Sequence, residues 1–432
     1  MTIEIITPDA LAVRLTDGGE IAVLDVRAEA PFLAGHLLLA VNTPLDRLLD
    51  LAPGFVPRRS TPLVLCDDGD GGDGVARQAA ERLGTAGYDQ LLILDGGVPA
   101  WTAAGYEVFE TGYAMANCFG LAVQACYATP RIDGSELMRR QAAGQPLVIV
   151  DSRPFEEFHA ATVPGAVNLP VAELFHRIRD HLPDAGGTQT TVVVHCGGKT
   201  RGILGCQSLI NAGLANPVVA LDEGTMDWVL AGGRLEEGAD RTQAPPSKAA
   251  KDSAMQAAEG IARRFDVRNL SPGELSAWRR EADRRTLYLV DVRSRAEYEA
   301  GHLPDARWIP GGQLAGCTED YIATRNARLC LVDDDGARAK LTASWMMQAG
   351  WPEVAVLEGG LAGQDLVPGP DPLAAPEPAL DDGDHRAPPE EVPDEAGVLK
   401  SYRRSIAWRN GLPERFARDG TLSFDLPQPG ET

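Results

Sequence analysis

The chain has 432 residues, 44% of them hydrophobic, and its 40 basic and 62 acidic side chains leave a formal net charge of −22. A chain of this length is expected to fold as more than one compact domain. Its negative charge repels nucleic acids and anionic lipid surfaces, so we expect neither a nucleic-acid partner nor a membrane partner.

The sequence lacks the usual signals for export or membrane insertion. Its first residues, MTIEIITPDALAVRLTDGG, have no basic stretch followed by an apolar one, and nowhere do about 18 apolar residues run together. The seven cysteines are odd in number and widely spaced, without a CxxC pair. This pattern is typical of a reducing compartment, and it predicts a cytoplasmic protein in which a thiolate can serve as a reagent.

Three segments of the chain share one order of motifs. Each opens with a polar capping residue before a helical pattern, in ITPDALAVRL, IDGSELMRRQ and LSPGELSAWR. Each continues with an apolar strand that ends in Asp-x-Arg, in IAVLDVR, LVIVDSR and LYLVDVR. A second strand leads into a loop and a helix, and a third strand follows. Strands that alternate with helices predict a parallel sheet with helices on both faces.

The spacing of the motifs places the three copies in register. From the Asp of Asp-x-Arg to the residue that ends the second strand, the separations are 67 − 25 = 42, 196 − 151 = 45 and 333 − 291 = 42 residues. Asp67, Cys196 and Asp333 are therefore equivalent positions. Binding sites of parallel sheets form at the carboxyl ends of the strands, which is where the loop that begins at Cys196 lies.

The repeat predicts three domains, at residues 1–110, 128–235 and 265–366. Residues 111–127 are apolar enough to pack and to join the first two copies as a fixed unit. Residues 236–264 are predicted to form a solvated linker that leads into a short helix, and so a flexible joint to the third copy. Residues 367–400, rich in Pro, Asp and Glu, are predicted to be disordered, and residues 401–432 are predicted to dock back as a helix and hairpin.

The loop in VVVHCGGKTRG is the clearest chemical signal in the chain. It consists of six residues, Cys196, Gly197, Gly198, Lys199, Thr200 and Arg201. Glycines let backbone N–H groups converge on one point, and the following helix directs the positive end of its dipole there. Such a place stabilises a thiolate. Lys199 and Arg201 add positive charge for an incoming anion, and Thr200 offers a hydroxyl donor.

The ordered set of Asp-x-Arg, GH or VPGA, the cysteine loop and DGG-x-x-x-W extends in three copies from residue 3 to about 366. It resembles the rhodanese sulfurtransferase family, and the whole chain resembles a bacterial multi-rhodanese protein. The resemblance implies an α/β fold of three tandem, doubly wound rhodanese-like domains, without a metal or an organic cofactor. It also implies that Cys196 attacks the outer sulfur of an anion such as thiosulfate, and that the persulfide passes its sulfur to a thiol, to cyanide or to a protein acceptor.

The side chains around Cys196 also have structural interpretations. An unpaired cysteine is often a core residue, which is the alternative for Cys196. His195 precedes it on the strand and points to the opposite face, so we interpret it as structural. Asp151 and Arg153 predict an ion pair between strand and loop, with Arg153 also a candidate contact for the substrate anion. Cys206 is predicted to lie in the core.

The first and third copies lack the sulfur atom. Asp67 and Asp333 cannot carry a persulfide, and their acidic loops, DDGDGGDGVAR and DDDGAR, would repel a sulfur oxyanion. Cys66 lies one residue before the nucleophile position, so its side chain should face the wrong way. We predict that these copies are inactive, and that they wall the cleft of the second copy or bind partners.

Two other functions compete with sulfur transfer at this point. Cdc25-type phosphatases share the fold and hold phosphate in a Cys-x5-Arg loop, whereas the loop here is Cys-x4-Arg, which favours a sulfur atom over a phosphate. A non-catalytic binding protein is the second alternative, because two of the three copies lack the nucleophile. Glu157 stands where the active half of two-domain thiosulfate enzymes usually carries a second arginine, and this weakens the case for thiosulfate as the donor.

Overall fold

The computed structural model describes residues 3–69, 74–183, 188–241, 244–373 and 395–427. It contains three five-stranded sheets whose strands are all parallel. Numbered within each copy, the strand order is 1-5-4-2-3 in all three sheets. The predicted α/β fold, with three tandem doubly wound domains, is confirmed. Within the described ranges, none of the helices combines the length and apolar character that a membrane crossing requires.

The first copy starts with a short edge strand and a helix that the side chain of Thr7 caps by accepting the N–H of Ala10. Its strands are β1 (Glu4–Ile6), β2 (Ala22–Asp25), β3 (Ala40–Asn42), β4 (Leu63–Cys66) and β5 (Leu91–Leu94). Its helices are α1 (Pro8–Thr16), α2 (Glu29–Ala34), α3 (Leu48–Phe55), α4 (Val75–Thr85) and α5 (Gly97–Ala103), and α6 (Ala114–Tyr127) follows.

The second copy repeats this layout, and Asp133 caps its first helix by accepting the N–H of Glu136. Its strands are β6 (Arg131–Ile132), β7 (Leu147–Asp151), β8 (Val167–Asn168), β9 (Thr191–His195) and β10 (Val218–Leu221). Its helices are α7 (Gly134–Ala142), α8 (Phe155–Ala160), α9 (Val171–Arg177), α10 (Thr200–Asn211) and α11 (Gly224–Leu230), with α12 (Lys248–Arg264) behind them.

The third copy opens with a capping box in which Ser271 and Glu274 each accept the other's backbone N–H. Its strands are β11 (Arg268–Leu270), β12 (Leu287–Asp291), β13 (Arg307–Trp308), β14 (Arg328–Val332) and β15 (Glu353–Leu357). Its helices are α13 (Pro272–Arg280), α14 (Arg295–Ala300), α15 (Gly311–Gly316) and α16 (Ala337–Gln348), and the chain ends with α17 (Glu395–Asp419).

Helix α6 lies between the copies and buries both of its sides. Phe119 and Val123 belong to the hydrophobic core that the second and third copies share, whereas Met115 and Cys118 belong to a core of the first copy. The apolar segment 111–127 thus packs against all three copies, in agreement with the fixed unit that its composition predicts.

Residues 236–264 do not form the flexible joint that their composition predicts. Helix α12 within this segment buries Ala254, Ala258 and Ile261 in the core shared by the second and third copies. These residues follow one another at i, i+4 and i+7, so they form a single apolar stripe along the helix. The prediction of a flexible joint was wrong because it was based on the overall polar composition of the segment. The charged residues that dominate this composition lie on the outward face of the helix, and the apolar stripe lies on the other face. The connection between the second and third copies is therefore held by packing.

The chain after the third copy folds back onto the first two copies. Helix α17 packs against α6 and α11, and Leu412 is fully buried in a core of the first copy. The expected docking helix is present, but residues 420–427 contain no strand, so the expected hairpin does not form in this described segment. Of the segment 367–400 that we predicted to be disordered, residues 374–394 lie outside the described residues, while Asp371 pairs with Arg307.

Candidate active site

Asp67, Cys196 and Asp333 occupy the same place in the three sheets. Each directly follows the central strand of its sheet, which is β4, β9 or β14. The carbonyl oxygen of each also accepts a backbone N–H from the segment after the fifth strand of its copy, and the donors are Val98 at 2.9 Å, Thr225 at 2.9 Å and Leu361 at 3.1 Å. The three positions that are equivalent in sequence are thus equivalent in structure.

A glycine in the left-handed conformation holds each of these loops. Gly224 has a φ of +57°, and a Cβ atom there would lie 2.2 Å from the carbonyl oxygen of Cys196 and 2.6 Å from that of Gly198. Gly97 and Gly360 make the same approach to the loops of their own copies. Only glycine combines this φ with this clearance. These three glycines therefore position the loops. They are Gly97 in DGG, Gly224 in DEG and Gly360 in EGG.

In the third copy, the loop encloses the carboxylate of Asp333. Its Oδ1 accepts the N–H of Gly336 at 2.6 Å, and its Oδ2 accepts those of Arg338 at 2.9 Å and Ala339 at 3.3 Å. Burial raises the pKa of Asp333 to about 6. The loop of the third copy therefore directs three backbone donors at the carboxylate of its own first residue.

The first copy shows the same arrangement in its longer loop. Oδ1 of Asp67 accepts the N–H of Gly69 at 2.8 Å, and Oδ2 accepts that of Ala76 at 2.9 Å. Cys66, one residue earlier, is fully buried in the hydrophobic core, and burial raises the pKa of its thiol. Its side chain thus points away from the loop, as its position on the strand requires.

The loop of the second copy is enclosed on every side. Cys196 has no exposed surface, and Lys199, Thr200 and Arg201 are exposed by 4%, 1% and 3%. Helix α6 covers one side, where the Thr200 hydroxyl donates to the carbonyl of Ala116. Helix α15 of the third copy covers another, because a Cβ at Gly316 would lie 2.7 Å from Cγ of Arg201. The second copy, helix α6 and the third copy thus contribute to the walls of one site.

The charged end of Lys199 lies against carboxylates. Its Nζ atom is 2.6 Å from Oδ1 of Asp222 and 2.8 Å from Oε1 of Glu223, and it donates to Oε1 of Gln124 at 3.2 Å. Although burial opposes it, the bond from Lys199 lowers the pKa of Asp222. Lys199 thereby ties the loop to the end of β10.

Arg201 forms a two-pronged ion pair with Glu157. Nη1 and Nη2 donate to the two carboxylate oxygens at 2.6 and 2.9 Å, and Nη1 also donates to Oε1 of Gln313 in the third copy at 3.1 Å. Although burial alone would lower it, Glu157 keeps the pKa of Arg201 above its usual value. Arg338 and Glu297 form the same pair in the third copy, so this ion pair is common to the second and third copies.

Arg153 forms a buried ion pair with Asp151. Its Nε and Nη2 atoms donate to the carboxylate at 3.0 and 2.7 Å, and Nη2 also donates to the carbonyl of Ala161. The same contacts recur in both outer copies, through Arg27 with Asp25 and Gly35 and through Arg293 with Asp291 and Gly301. The predicted ion pair between strand and loop is present, and it is a structural feature of every copy.

His195, next to Cys196, and Cys206, within helix α10, are two further buried groups of the second copy. Burial lowers the pKa of His195, whose Nε2 lies 3.9 Å from Oδ2 of Asp151 and has no hydrogen-bond partner. Burial raises the pKa of the Cys206 thiol. Both side chains are therefore uncharged at neutral pH, which agrees with the structural roles that the sequence predicts.

The structure adds residues that no local pattern identifies. Gln313 reaches the loop from the third copy, and Arg409 of α17 donates to the carboxylate of Glu223, the partner of Lys199. Arg409 is fully buried and also donates to Oδ1 of Asn117 at 2.9 Å. Among the described residues, no group of His, Cys, Asp and Glu has the arrangement of a metal site.

The sequence matches the model of one protein family. The family described as Rhodanese-like domain matches three times, at residues 7–104, 133–231 and 271–363. The crystal structure of a thiosulfate sulfurtransferase from Pseudomonas aeruginosa is similar along 99% of this chain and 100% of its own, with 33% identity and a TM-score of 0.89.

Two proteins of Mycobacterium tuberculosis are similar over part of the chain. The putative thiosulfate sulfurtransferase SseB is 30% identical over 244 residues, which cover 45% of this chain and 83% of SseB. An HTH-type transcriptional regulator is 36% identical over 108 residues, or 25% of this chain. That match spans 45% of the regulator, which is less than half of its length.

Proposed function

Because the chain belongs to the rhodanese family of sulfurtransferases, we propose that it moves a sulfane sulfur from a donor to a thiol or cyanide acceptor through a persulfide on Cys196. The second copy carries the reaction. The first and third copies, with Asp67 and Asp333 at the equivalent position, are inactive and serve to enclose the site. No metal or organic cofactor takes part, and the location is the reducing cytoplasm.

The carboxylate of Asp333 is the observation that carries this proposal. Its Oδ2 atom is three bonds from Cα, and the terminal sulfur of a cysteine persulfide is also three bonds from Cα. By register, the N–H groups of Lys199, Arg201 and Gly202 correspond to those that hold the Asp333 carboxylate. A persulfide on Cys196 would therefore place its terminal sulfur among the same backbone donors, which stabilise negative charge.

The reaction has two steps. The thiolate of Cys196 attacks the outer sulfur of the donor, the sulfur–sulfur bond of the donor breaks, and its electron pair leaves with the donor fragment. In the second step, the thiolate or cyanide acceptor attacks the terminal sulfur of the persulfide, and Cys196 leaves as a thiolate. Each step forms one bond and breaks one, so the enzyme returns to its starting state without an oxidant or reductant.

Each predicted site residue has a role in this proposal. Gly197 and Gly198 allow the loop to turn so that its N–H groups converge on the sulfur. The side chains of Lys199, Thr200 and Arg201 bind Asp222, the carbonyl of Ala116 and Glu157, and so hold the loop in shape. The backbone N–H groups of Lys199 and Arg201 then face the sulfur. Arg153 fixes the end of β7 beside the loop through Asp151.

Mass spectrometry of the intact protein tests the proposal. We expect the full chain to gain the mass of one sulfur atom after exposure to a sulfane donor, and we expect Cys196→Ala to gain none. The variants Cys66→Ala and Cys206→Ala are controls that remove buried thiols and keep the gain. A sulfur gain that survives Cys196→Ala, or no gain with any donor, would contradict the proposal. Hydrolysis of an aryl phosphate that depends on Cys196 would instead support the phosphatase alternative.

A further inference from the structure

The guanidinium of Arg201 keeps one nitrogen free for a group that enters the site. Nη1 and Nη2 donate to Glu157, and Nη1 also donates to Gln313. In the part of the chain that the structure describes, Nε has no hydrogen-bond partner, although it is buried. A buried N–H group of a charged side chain is costly to leave unpaired, so its direction indicates where an acceptor belongs.

The third copy shows which way this nitrogen faces. The equivalent atom, Nε of Arg338, lies 3.9 Å from Oδ2 of Asp333, and it too is buried without a hydrogen bond among the described residues. Oδ2 occupies the place that the terminal sulfur of a Cys196 persulfide would take, since both atoms are three bonds from Cα. A sulfur atom is larger than an oxygen and stands on longer bonds, so it can fill the gap that the carboxylate leaves open.

Helix α15 of the third copy contacts Arg201 at two points. Oε1 of the buried Gln313 accepts the hydrogen bond from Nη1 at 3.1 Å. One turn later, Gly316 lies against the stem of the side chain, where a Cβ would be 2.7 Å from Cγ of Arg201. Together with Glu157, these contacts set the direction of Nε, so residues of two copies decide where it points.

The second copy makes the reverse contact with the third. Glu173 and Gln313 are equivalent residues, because each is the third residue of its helix, α9 or α15. Glu173 accepts a hydrogen bond from Nη1 of Arg338, as Gln313 does from Nη1 of Arg201. Each of the two copies thus reaches the loop arginine of the other.

The two contacts differ in charge. Arg338 is paired with carboxylates of both copies, whereas Glu157 is the one carboxylate that pairs with Arg201 within the described ranges. Burial lowers the pKa of Arg201, Glu157 raises it most, and charges on nearby groups that include Cys196 raise it further. Because Gln313 is neutral, it holds Arg201 without cancelling the positive charge that stabilises a thiolate at Cys196.

We infer that Gln313 of the third copy is a positioning residue for the reaction at Cys196, an inference that rests on the proposed function. Gln313 and Glu157 hold the guanidinium of Arg201 so that its Nε–H faces the terminal sulfur. The amide of Gln313 leaves the charge of Arg201 available to the thiolate and to the persulfide. The third copy, although it has no cysteine in its own loop, thus completes the active site of the second.

Gln313→Glu tests the charge of this contact. The variant keeps an acceptor oxygen and adds a negative charge, in the arrangement that Glu173 and Arg338 already form in the folded protein. The readout is the pH profile of Cys196 alkylation by iodoacetamide, followed by mass spectrometry of the peptide that contains Cys196. We expect the profile to move upward by about one pH unit, because the new carboxylate opposes a thiolate.

Gln313→Met tests the position of Arg201. The variant keeps the size of the side chain and the charge of Arg201, but it gives Nη1 no strong acceptor. We expect the alkylation profile to stay within about 0.3 pH units of the parent, while the full chain gains sulfur ~10-fold more slowly, because Nε is no longer held towards the sulfur. The donors for this measurement are thiosulfate and, separately, the hydropersulfide of 2-mercaptoethanol.

Gln90→Glu is the matched control, because it adds the same charge at an exposed position of the first copy. It should leave both the alkylation profile and the sulfur gain unchanged. A parent-like profile in Gln313→Glu, or a parent-like sulfur gain in Gln313→Met, would overturn the inference. An equal shift of the profile in Gln90→Glu would overturn it as well, since the effect would then be one of net charge alone.

These outcomes leave the persulfide mechanism standing. If the parent gains no sulfur from either donor, or if Cys196→Ala gains it as well, the proposed function itself fails. Alkylation needs no donor, so its pH profile still reports whether Gln313 acts on Cys196.

Discussion

Asp333 in the third copy lies at the position of Cys196 in the second, and its carboxylate fills the ring of N–H donors that the loop provides. The two residues follow the same strand of equivalent sheets, and each gives its carbonyl oxygen to the same backbone contact. The third copy thus shows the loop with an anionic group in place. It also explains how a copy without sulfur keeps this loop folded, since the aspartate satisfies donors that would otherwise be buried without partners.

This relationship predicts that Cys196→Asp preserves the fold while it abolishes sulfur loading. The new carboxylate should accept the loop N–H groups as Asp333 does, whereas Cys196→Ala leaves the same buried donors without an acceptor. We therefore expect Cys196→Asp to be more stable than Cys196→Ala by about 1–3 kcal/mol in urea unfolding at pH 6. Equal stability of the two variants would show that the loop of the second copy does not direct its donors to this position.

A second prediction concerns the glycine that supports the loop. Gly224→Ala should destabilise the protein by about 3 kcal/mol or more and stop sulfur loading, because the new Cβ would lie 2.2 Å from the carbonyl oxygen of Cys196. Gly213→Ala is the control, since Gly213 also has a positive φ, of +72°, but has no atom within 4 Å of the added Cβ. That variant should lose only about 1 kcal/mol and keep its activity. Similar losses in urea unfolding would mean that close packing at Gly224 is unimportant.

The sequence predicts those parts of the fold that depend on short stretches of chain. The strands before Asp67, Cys196 and Asp333 are apolar runs. Their similar distances from the Asp-x-Arg motifs align the three copies with one another, so the sequence pattern is sufficient to predict three equivalent sheets. The contacts of Gln313 and Arg409 with the site depend on how the copies pack, and no local pattern encodes that packing. The sequence predicts that Lys199 and Arg201 offer positive charge to a substrate anion. It does not show that their side chains pair with carboxylates, because Asp222, Glu223 and Glu157 come from other segments of the chain.

For residues 236–264, the prediction failed although the sequence contains a local pattern that indicates the structure. Its polar composition led to a prediction of flexibility, although Ala254, Ala258 and Ile261 form a helical stripe that could have been found by periodicity. Small alanine side chains contribute little to overall hydrophobicity, yet they allow close helix packing. Composition averages over the two faces of a helix, and in this segment the buried face decided the structure.

A third prediction tests whether contacts from α17 stabilise the loop of the second copy. Arg409 binds Glu223 and Asn117, and Glu223 in turn binds Lys199 of the loop. Arg409→Ala removes one of the two buried cations that bind Glu223, which keeps Lys199, and leaves Oδ1 of Asn117 without this donor, so we expect a loss of about 1–3 kcal/mol in unfolding free energy and faster proteolysis of α17. A slower gain of sulfur at Cys196 should accompany these changes.

Arg418→Ala is the control for this variant, because Arg418 belongs to the same helix but pairs with Glu107 at the surface. It should behave like the parent in unfolding, in proteolysis and in sulfur loading. If Arg409→Ala also behaves like the parent, α17 does not support the site.

The last prediction follows from Glu319, which lies beneath the first turn of α6. Its Oε1 accepts the N–H of Ala116 at 2.9 Å, while its Oε2 is buried without a hydrogen-bond partner. Burial, with a smaller contribution from nearby Asp320, raises the pKa of Glu319 to about 7 from the usual 4.5. The folded protein therefore binds this proton more tightly than the unfolded chain, so its stabilising contribution is lost as pH rises from about 4.5 to about 7.

Glu319→Gln should remove this dependence, because the amide keeps an oxygen for Ala116 and carries no charge. We expect the variant to exceed the parent in unfolding free energy by up to about 3 kcal/mol at pH 8, with the difference shrinking towards pH 5. Glu358→Gln, at an exposed position, is the control and should follow the parent at both values. A variant that loses stability between pH 5 and pH 8 as steeply as the parent would show that Glu319 is ionised throughout, with its charge stabilised at the start of α6.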